Sequence, residues 1–189
     1  MHIIDVILLV IKGEKDDELQ GRTLLQKKIY FLSVMMEHDL GFTAHYYGPY
    51  SSYVAGHLDS LVSYGILKET LVPLSSNPPE QSPFGEIRKH AYIYSLIPNA
   101  FEKVWKVAEK KPSFDKWKQK LKAINDQSIA RDSNSLSIAA KIHYIVDWEG
   151  EKNAEEVLQT AKEYGWDFTL KDIKNVLSFL TELGLVSVD

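Results

Sequence analysis

A ten-residue pattern that occurs twice in this chain decides the fold. It reads Leu58-Asp-Ser-Leu-Val-Ser-Tyr-Gly-Ile-Leu67 and returns near the end as Leu177-Ser-Phe-Leu-Thr-Glu-Leu-Gly-Leu-Val186. In both copies apolar residues recur at i, i+3 and i+4, and a glycine (Gly65 or Gly184) precedes two β-favouring aliphatic residues. The pattern predicts an amphipathic helix that ends at a left-handed glycine and leads directly into a strand.

A helix followed at once by a strand is typical of the third helix and first wing strand of a winged helix. Two copies therefore predict a mainly α protein with small β wings, built from two winged-helix-like units. We expect the first unit at 1–97, a basic helical connector at 98–129 and the second unit at 130–189. This architecture favours binding over catalysis.

The composition is that of an ordinary folded chain, with 44% hydrophobic and 25% charged residues among 189. Cysteine is absent, which excludes disulfides and thiolate chemistry and fits the reducing cytoplasm. The apolar stretch Ile3 to Ile11 has no basic region before it, contains Asp5 and is too short to span a bilayer. We expect it to be a buried first helix.

The net charge of −4 is unevenly distributed along the chain. Residues 1–97 carry 8 Lys/Arg against 11 Asp/Glu, residues 98–129 carry 8 against 4, and residues 130–189 carry 6 against 11. Positive charge is therefore concentrated in the predicted connector, and the second unit is acidic.

Periodicity and turn residues place the remaining elements. In the first unit we expect a loop at 13–21, a central helix from Arg22 to Glu37 closed by Gly41, a strand at 43–47, a helix at 50–64, and wing strands at 66–72 and 91–96 around a long loop. The connector should hold two helices striped by aromatic residues, including Trp105 and Trp117, and we expect these stripes to form a homodimer. In the second unit we expect three helices, with capping boxes at Asn153 and Thr169, and a final strand at 185–188.

Three segments together resemble a known family. They are Gly21 to Leu32, the Tyr46-Tyr-Gly-Pro-Tyr-Ser51 signature, and Leu58 to Leu67. The arrangement is similar to YwgA-like bacterial and archaeal proteins and, more distantly, to the Panacea or SocA-like antitoxin domain, which also places Gly-Pro before a helix. The resemblance covers roughly residues 20–70 and implies a helical, winged-helix-like domain. For the Panacea relatives it implies neutralising or delivering a protein partner.

The Gly48-Pro49 turn has two interpretations. Glycine permits an unusual backbone angle, proline presets φ, and Ser51 or Ser52 is suited to cap the next helix, which would make the turn structural. Alternatively, the turn displays Tyr50 to a partner. The sequence leaves both open.

The helix that follows carries aromatic residues beside its apolar face and has no basic residue. A DNA-reading helix uses Arg, Asn or Gln on bases and Lys or Arg on phosphates, so this helix resembles a protein-contact surface instead. It could equally pack its tyrosines under the wing. The candidate partner-binding residues are Tyr47, Tyr50, Tyr53, His57 and Tyr64.

Candidate DNA contacts lie elsewhere in the chain: on the last helix of the second unit, in the wing of the first unit and on the second helix of the connector. Each lysine group has a competing interpretation, either as a solvated helix face or as the outside of a dimerisation helix. The candidate nucleic-acid-binding residues are Lys171, Lys174, Asn175, Arg88, Lys89, Lys116, Lys118, Lys120 and Lys122.

Signals for catalysis are weak. The six histidines show no recurrent metal spacing, and the sequence has no glycine-rich phosphate loop. His45, His57 and Asp59 could converge across the Gly-Pro turn, which is the one weak candidate for a metal or acid–base site. We predict no enzyme activity, no cofactor and no membrane segment. The leading hypothesis is a cytoplasmic regulator that binds double-stranded DNA as a homodimer, and the alternative is a protein-binding antitoxin or adaptor.

Overall fold

The computed structural model describes residues 1–73, 80–82, 85–87, 90–150 and 153–186. Within these residues the chain forms eight α-helices and five short strands. The helices are α1 Ile3–Lys12, α2 Arg22–Met35, α3 Ser52–Ser63, α4 Pro98–Ala108, α5 Phe114–Asn125, α6 Ser133–Glu149, α7 Ala154–Glu163 and α8 Leu170–Glu182. The strands are β1 Glu18–Gln20, β2 Leu67–Pro73, β3 Glu80–Ser82, β4 Gly85–Ile87 and β5 His90–Leu96.

The N-terminal part has the element order of a winged helix. Among the described strands, β2 and β5 form the predicted antiparallel wing, and β1 pairs with the other edge of β5, giving the order β1-β5-β2. β3 and β4 form a separate hairpin between the two wing strands. The predicted class, mainly α with small β wings, is confirmed.

α1 is the predicted buried helix. Every residue from Val6 to Ile11 is buried, and the His2 side chain and Asp5 form a capping box at its start. Asp5 also accepts a hydrogen bond from Lys111 at 2.5 Å, joining α1 to the α4–α5 segment. The buried apolar residues of α1 thus pack inside the protein, as their composition predicts.

α2 is the central helix, buried from Leu24 to Ser33. Two of its aromatic residues reach the C-terminal part of the chain. The Tyr30 hydroxyl lies 2.7 Å from Nδ1 of His143 on α6, and the Phe31 ring meets the edge of Phe179 on α8. Burial raises the pKa of Tyr30 and lowers the pKa of His143, so both groups are neutral at pH 7 and their contact is a neutral hydrogen bond.

The predicted connector packs into the same core as its neighbours. Trp117 is 2% exposed and meets His38 edge-on, while Trp105 is half-buried between Phe101 and Phe114. Buried residues from 1–97, 98–129 and 130–189 all belong to one hydrophobic cluster. The apolar stripes that motivated the homodimer are therefore largely covered within one chain, and the homodimer stays a prediction without that support.

The two predicted helix–glycine units end in the same way. Gly65 and Gly184 have φ of 66° and 70°. At each, the next residue donates to a carbonyl five positions back, Ile66 to Leu61 and Leu185 to Leu180, which is the Schellman arrangement. The predicted strand after Gly65 is present as β2. After Gly184 the described residues, Leu185 and Val186, form a bend instead of a strand, and 187–189 lie outside the described residues.

Three further expectations were wrong in detail. α2 ends before Gly41, because Glu37 takes the left-handed conformation (φ 51°) and the His38 amide donates to the Ser33 carbonyl. The expected strand at 43–47 is reduced to one bridge between Thr43 and Tyr50. The expected loop at 13–21 contains β1, whose only buried side chain is Leu19.

The predicted capping boxes at Asn153 and Thr169 are both formed.

Candidate functional site

The Gly48-Pro49 turn lies where the N-terminal and C-terminal parts of the chain meet. Gly48 has φ of 90°, and its amide donates to the His45 carbonyl at 2.8 Å. Thr43 and Tyr50 exchange two backbone hydrogen bonds, of 3.0 and 2.9 Å, which close the segment between them. A side chain at position 48 would be strained by this backbone angle and would also meet Lys141, whose Cγ lies 3.0 Å from the Cβ position.

Side chains from three other elements bind the carbonyls of this turn. Trp166 Nε1, after α7, donates to His45 O at 2.7 Å, and Ser137 Oγ, on α6, donates to Tyr47 O at 2.6 Å. Lys27 Nζ, on α2, donates to Pro49 O at 2.6 Å. The turn is therefore held rigidly by its backbone, while its side chains stay available for other contacts.

Ser51 connects this turn to the start of α3. Its hydroxyl accepts from the Val54 amide at 3.2 Å and donates to Leu40 O at 2.5 Å, so Ser51 is the N-cap, one of the two residues that the sequence offered for this position. The Gln26 side chain pairs with both backbone groups of Ser51, at 3.0 and 3.1 Å. The structural interpretation of the Gly-Pro segment is thus supported by the buried hydrogen bonds of Ser51, Gln26 and Lys27.

Lys27 is a buried cation at the base of the turn. It is 1% exposed and forms no ion pair with any carboxylate in the described residues. Burial, together with the nearby charge of Lys141, lowers the pKa of Lys27 to about 7. A lysine in this environment changes its charge near neutral pH, which an exposed lysine does not.

A small cavity of about 100 Å³ lies beside Lys27 and the turn. It is lined by polar and aromatic side chains of α2 and of the turn, with no carboxylate among them. The lining residues are Arg22, Thr23, Gln26, Lys27, His45, Tyr47 and Tyr50.

Arg22 has its own partners on the wing and on α3. Its Nε donates to the Tyr94 hydroxyl at 2.6 Å, and its Nη2 lies 2.9 Å from Glu69 and 2.8 Å from Asp59. Burial by itself raises the pKa of Glu69, but hydrogen bonds from Tyr94 and Arg22 outweigh it and lower the pKa. The two carboxylates carry one more negative charge than Arg22 carries positive charge, and they join α2 to the wing through Glu69 and to α3 through Asp59.

The candidate partner-binding residues divide into two groups. Tyr47, Tyr53 and Tyr64 are 60%, 47% and 78% exposed. Tyr50 is half-buried with its ring 5.1 Å from His45, and His57 is half-buried between Tyr53 and His2.

Exposed tyrosines also occur beyond the predicted set. Tyr46 is 68% exposed and packs edge-on against Tyr47, and Tyr92 on β5 is 40% exposed under the guanidinium of Arg22. We call Tyr46, Tyr47 and Tyr53 the turn tyrosines, because they lie on the turn and on the first turn of α3.

The candidate DNA contacts on α8 are accessible. Lys171, Lys174 and Asn175 are all exposed, opposite the buried residues Ile173 and Val176. The pair Arg88-Lys89 lies outside the described residues.

The lysines of α5 are mixed with acids. Lys116, Lys118 and Lys122 are exposed and Lys120 is half-buried, and Lys122 pairs with Asp126 at 2.6 Å. Lys118 and Lys122 lie at a cavity of about 740 Å³ whose lining also includes three acids and an apolar base. The remaining lining residues are Leu9, Lys12, Gly13, Trp105, Glu109, Asp115, Gln119, Leu121, Asn125 and Asp126. This helix does not present an unbroken positive strip.

The weak metal or acid–base candidate is not assembled. His45 contacts Tyr50, His57 contacts Tyr53 and His2, and Asp59 pairs with Arg22, so the three side chains have separate partners. Within the described part of the chain, no three His, Asp or Glu side chains are grouped to hold a metal ion.

Sequence reasoning missed the buried polar residues that organise this region. Gln26, Lys27 and Lys28 interrupt the apolar arc of α2, and all three are buried. Lys28 binds Glu14 and, at 2.9 Å, Asn125. Polar residues inside so wide an apolar arc are a usable signal, because burial of such groups requires specific partners.

Comparison with models of protein families and with curated proteins found no match for this chain. In the described part of the chain, none of the helices combines the length and apolar character needed to cross a bilayer.

Proposed function

We propose that this protein is a non-catalytic regulator that binds another protein through its turn tyrosines, in the manner of an antitoxin or adaptor. The observation that carries the proposal is the exposure of Tyr46, Tyr47 and Tyr53 beside a turn whose backbone is held by hydrogen bonds from Ser137 and Lys27. Tyrosine is enriched at interfaces because it combines a large apolar surface with a hydroxyl and has few rotatable bonds.

Charge supports a protein partner over DNA at this surface. α3 occupies the position of a reading helix but contains no Lys or Arg, and its acid Asp59 pairs with Arg22. Glu69 pairs with the same guanidinium. α3 therefore has no cation of its own for the phosphate contacts that supply most DNA affinity.

DNA binding by a homodimer is the second candidate, and α8 favours it. Lys171, Lys174 and Asn175 lie on one exposed face of the last helix in a three-helix arrangement, α6 to α8. The acidic composition of residues 130–189 opposes it. The absence of cysteine is compatible with a cytoplasmic location for either function.

Affinity capture from the native host, with nuclease treatment, separates the two candidates. We expect Tyr47→Ala with Tyr53→Ala to lose the captured protein, because truncating an interface aromatic residue costs about 2 kcal/mol or more. Trp148→Ala is the matched control, since Trp148 is also exposed (71%) but lies on α6.

Lys171→Glu with Lys174→Glu tests the DNA candidate in the same preparation. If capture needs these lysines and is abolished by nuclease, DNA is the partner. If the tyrosine variants capture the same proteins as Trp148→Ala, the proposed surface is wrong.

A further inference from the structure

We propose that the cavity beside the Gly48-Pro49 turn binds a carboxylate group, and that the proposed protein partner supplies it. This inference rests on the proposed function for the identity of the partner, but the carboxylate site itself rests on the cavity. The cavity lies between Lys27 and Tyr50 and is lined in part by Tyr47, one of the turn tyrosines. A partner on these tyrosines would therefore reach its opening.

The lining of the cavity is suited to an anion. Lys27, Arg22 and Thr23 supply N–H and O–H donors, and Tyr47 and Tyr50 carry phenol hydroxyls. Lys27 Nζ uses Pro49 O as an acceptor, and an ammonium group has three N–H donors, so donor capacity remains. No lining residue is an acid.

The charge balance favours a singly charged anion. Arg22 already pairs with two carboxylates, Glu69 at 2.9 Å and Asp59 at 2.8 Å, so its single positive charge is fully compensated. Lys27 is not paired with a carboxylate among the described residues, so its ammonium group is the cation of the lining that an anion can pair with when it is protonated. A carboxylate neutralises that charge, whereas a phosphate dianion brings a second negative charge into a buried site.

The volume of about 100 Å³ admits a group of carboxylate size and excludes a nucleotide or a sugar. A buried lysine whose pKa is about 7 is partly neutral in the free protein. A carboxylate at hydrogen-bond distance would favour the ammonium form, so binding would take up a proton. The other charges near Lys27 are Lys141 on α6, with Asp167 beside it, and Arg22.

The test follows the Lys27 side chain by NMR in the full chain with ¹³C-labelled lysine. The ε-CH₂ resonance is titrated with pH in sodium acetate and in sodium chloride of equal ionic strength. We expect acetate to raise the titration midpoint of Lys27 by about one pH unit, the effect of an opposite charge at close range. Lys27→Met identifies the resonance by its disappearance.

Thr23→Leu fills the cavity and keeps Lys27, so it carries the test even if Lys27→Met does not fold. In this variant acetate should no longer shift the midpoint. Equal midpoints in acetate and chloride, or an acetate shift that survives Thr23→Leu, would overturn the carboxylate site. A larger shift in inorganic phosphate than in acetate would overturn the choice of a monoanion.

Two capped peptides then identify the source of the carboxylate. Acetyl-Gly-Glu-Gly-amide presents a side-chain carboxylate, and acetyl-Gly-Gly-Gly presents a terminal one. If either peptide shifts the Lys27 titration midpoint, a protein source is supported. The peptide with the larger shift shows whether the partner supplies a side-chain or a terminal carboxylate. An acetate shift with no effect of either peptide overturns the partner assignment. Because no partner is present in these titrations, their failure leaves the tyrosine-dependent capture experiment intact, and failure of capture leaves the titrations intact.

Discussion

The helix that ends at Gly65 and the helix that ends at Gly184 share their local structure and differ in what surrounds them. Both have a buried apolar stripe, a left-handed glycine and the same pair of closing hydrogen bonds. α3 then enters a wing strand and stands beside exposed tyrosines, whereas α8 leads into a bend and presents Lys171 and Lys174. Equal local patterns therefore specify equal helix ends but not equal surfaces, because surface chemistry depends on the residues that the pattern leaves free.

The largest effect should come from removing one core leucine from each helix. Leu61 on α3 is 1% exposed and Leu180 on α8 is 0% exposed. We expect Leu61→Ala and Leu180→Ala each to reduce the free energy of unfolding by about 2–5 kcal/mol, the usual cost of a cavity in a core.

Denaturant unfolding followed by two probes also tests whether the two helices share one cooperative unit. Because both leucines belong to one hydrophobic cluster, each variant should shift a single transition. Two separate transitions, with each variant moving only one, would show that residues 1–97 and 130–189 fold independently.

A second difference between the two regions is the buried lysine next to α3. In the folded chain the pKa of Lys27 is about 7, and in the unfolded chain it returns to the ordinary lysine value of 10.5. Between these pH values the unfolded chain binds the extra proton, so stability rises with pH, by up to about 1.4 kcal/mol per pH unit.

Lys27→Met should flatten this rise in the free energy of unfolding measured from pH 7 to pH 10. Lys171→Met, on the exposed face of α8, is the control and should keep the slope of the parent chain. An unchanged slope in Lys27→Met would show that Lys27 stays charged through this range.

Substituting the glycines that end α3 and α8 should reduce stability less than the core substitutions do, and by similar amounts at the two positions. An added Cβ at Gly65 or Gly184 meets no atom within 4 Å, so only the backbone angle opposes substitution. We expect Gly65→Val and Gly184→Val to destabilise by similar amounts, about 1–2 kcal/mol each.

Gly56→Ala in the middle of α3 is the contrasting control for these two variants. It also meets no atom but has no left-handed angle, and it should stabilise by about 0.5–1 kcal/mol. Thermal unfolding of the three variants measures both the expected loss of stability in the valine variants and the expected gain in Gly56→Ala. A large difference between Gly65→Val and Gly184→Val would mean that the two ends are not equivalent.

The smallest effect concerns the end of α2, where Glu37 occupies the position that glycine occupies after α3 and α8. Glu37→Gly should raise the free energy of unfolding by up to about 1 kcal/mol, because glycine adopts this angle without strain. Glu163→Gly, inside the last turn of α7, is the control and should destabilise. A loss of stability in Glu37→Gly would contradict the strain argument.

Prediction from sequence succeeded where a local rule applies. The glycine ends, the wing strands, the Ser51 cap and the capping boxes at Asn153 and Thr169 each depend on residues a few positions apart. It failed at Gly41, because α2 ends earlier than this glycine. There the His38 amide donates to the Ser33 carbonyl, and Glu37 occupies the left-handed position that glycine ordinarily fills. Of the residues at the candidate site, Tyr47 and Tyr53 were named from the sequence, but Tyr46, Lys27 and Gln26 were not.

By itself, the sequence determined the helices and those of their ends that a glycine or a capping residue sets, because these follow from periodicity and from the backbone preferences of single residues. Tertiary structure alone decided that Trp117 lies in the core, that Ser137 and Trp166 hold the Gly-Pro turn, and that Lys27 is buried without a carboxylate partner in the described chain. These contacts join residues from about 20 to more than 100 positions apart, so their energy depends on the packing of whole helices. A local sequence pattern does not predict which residue from a distant part of the chain will pack against it.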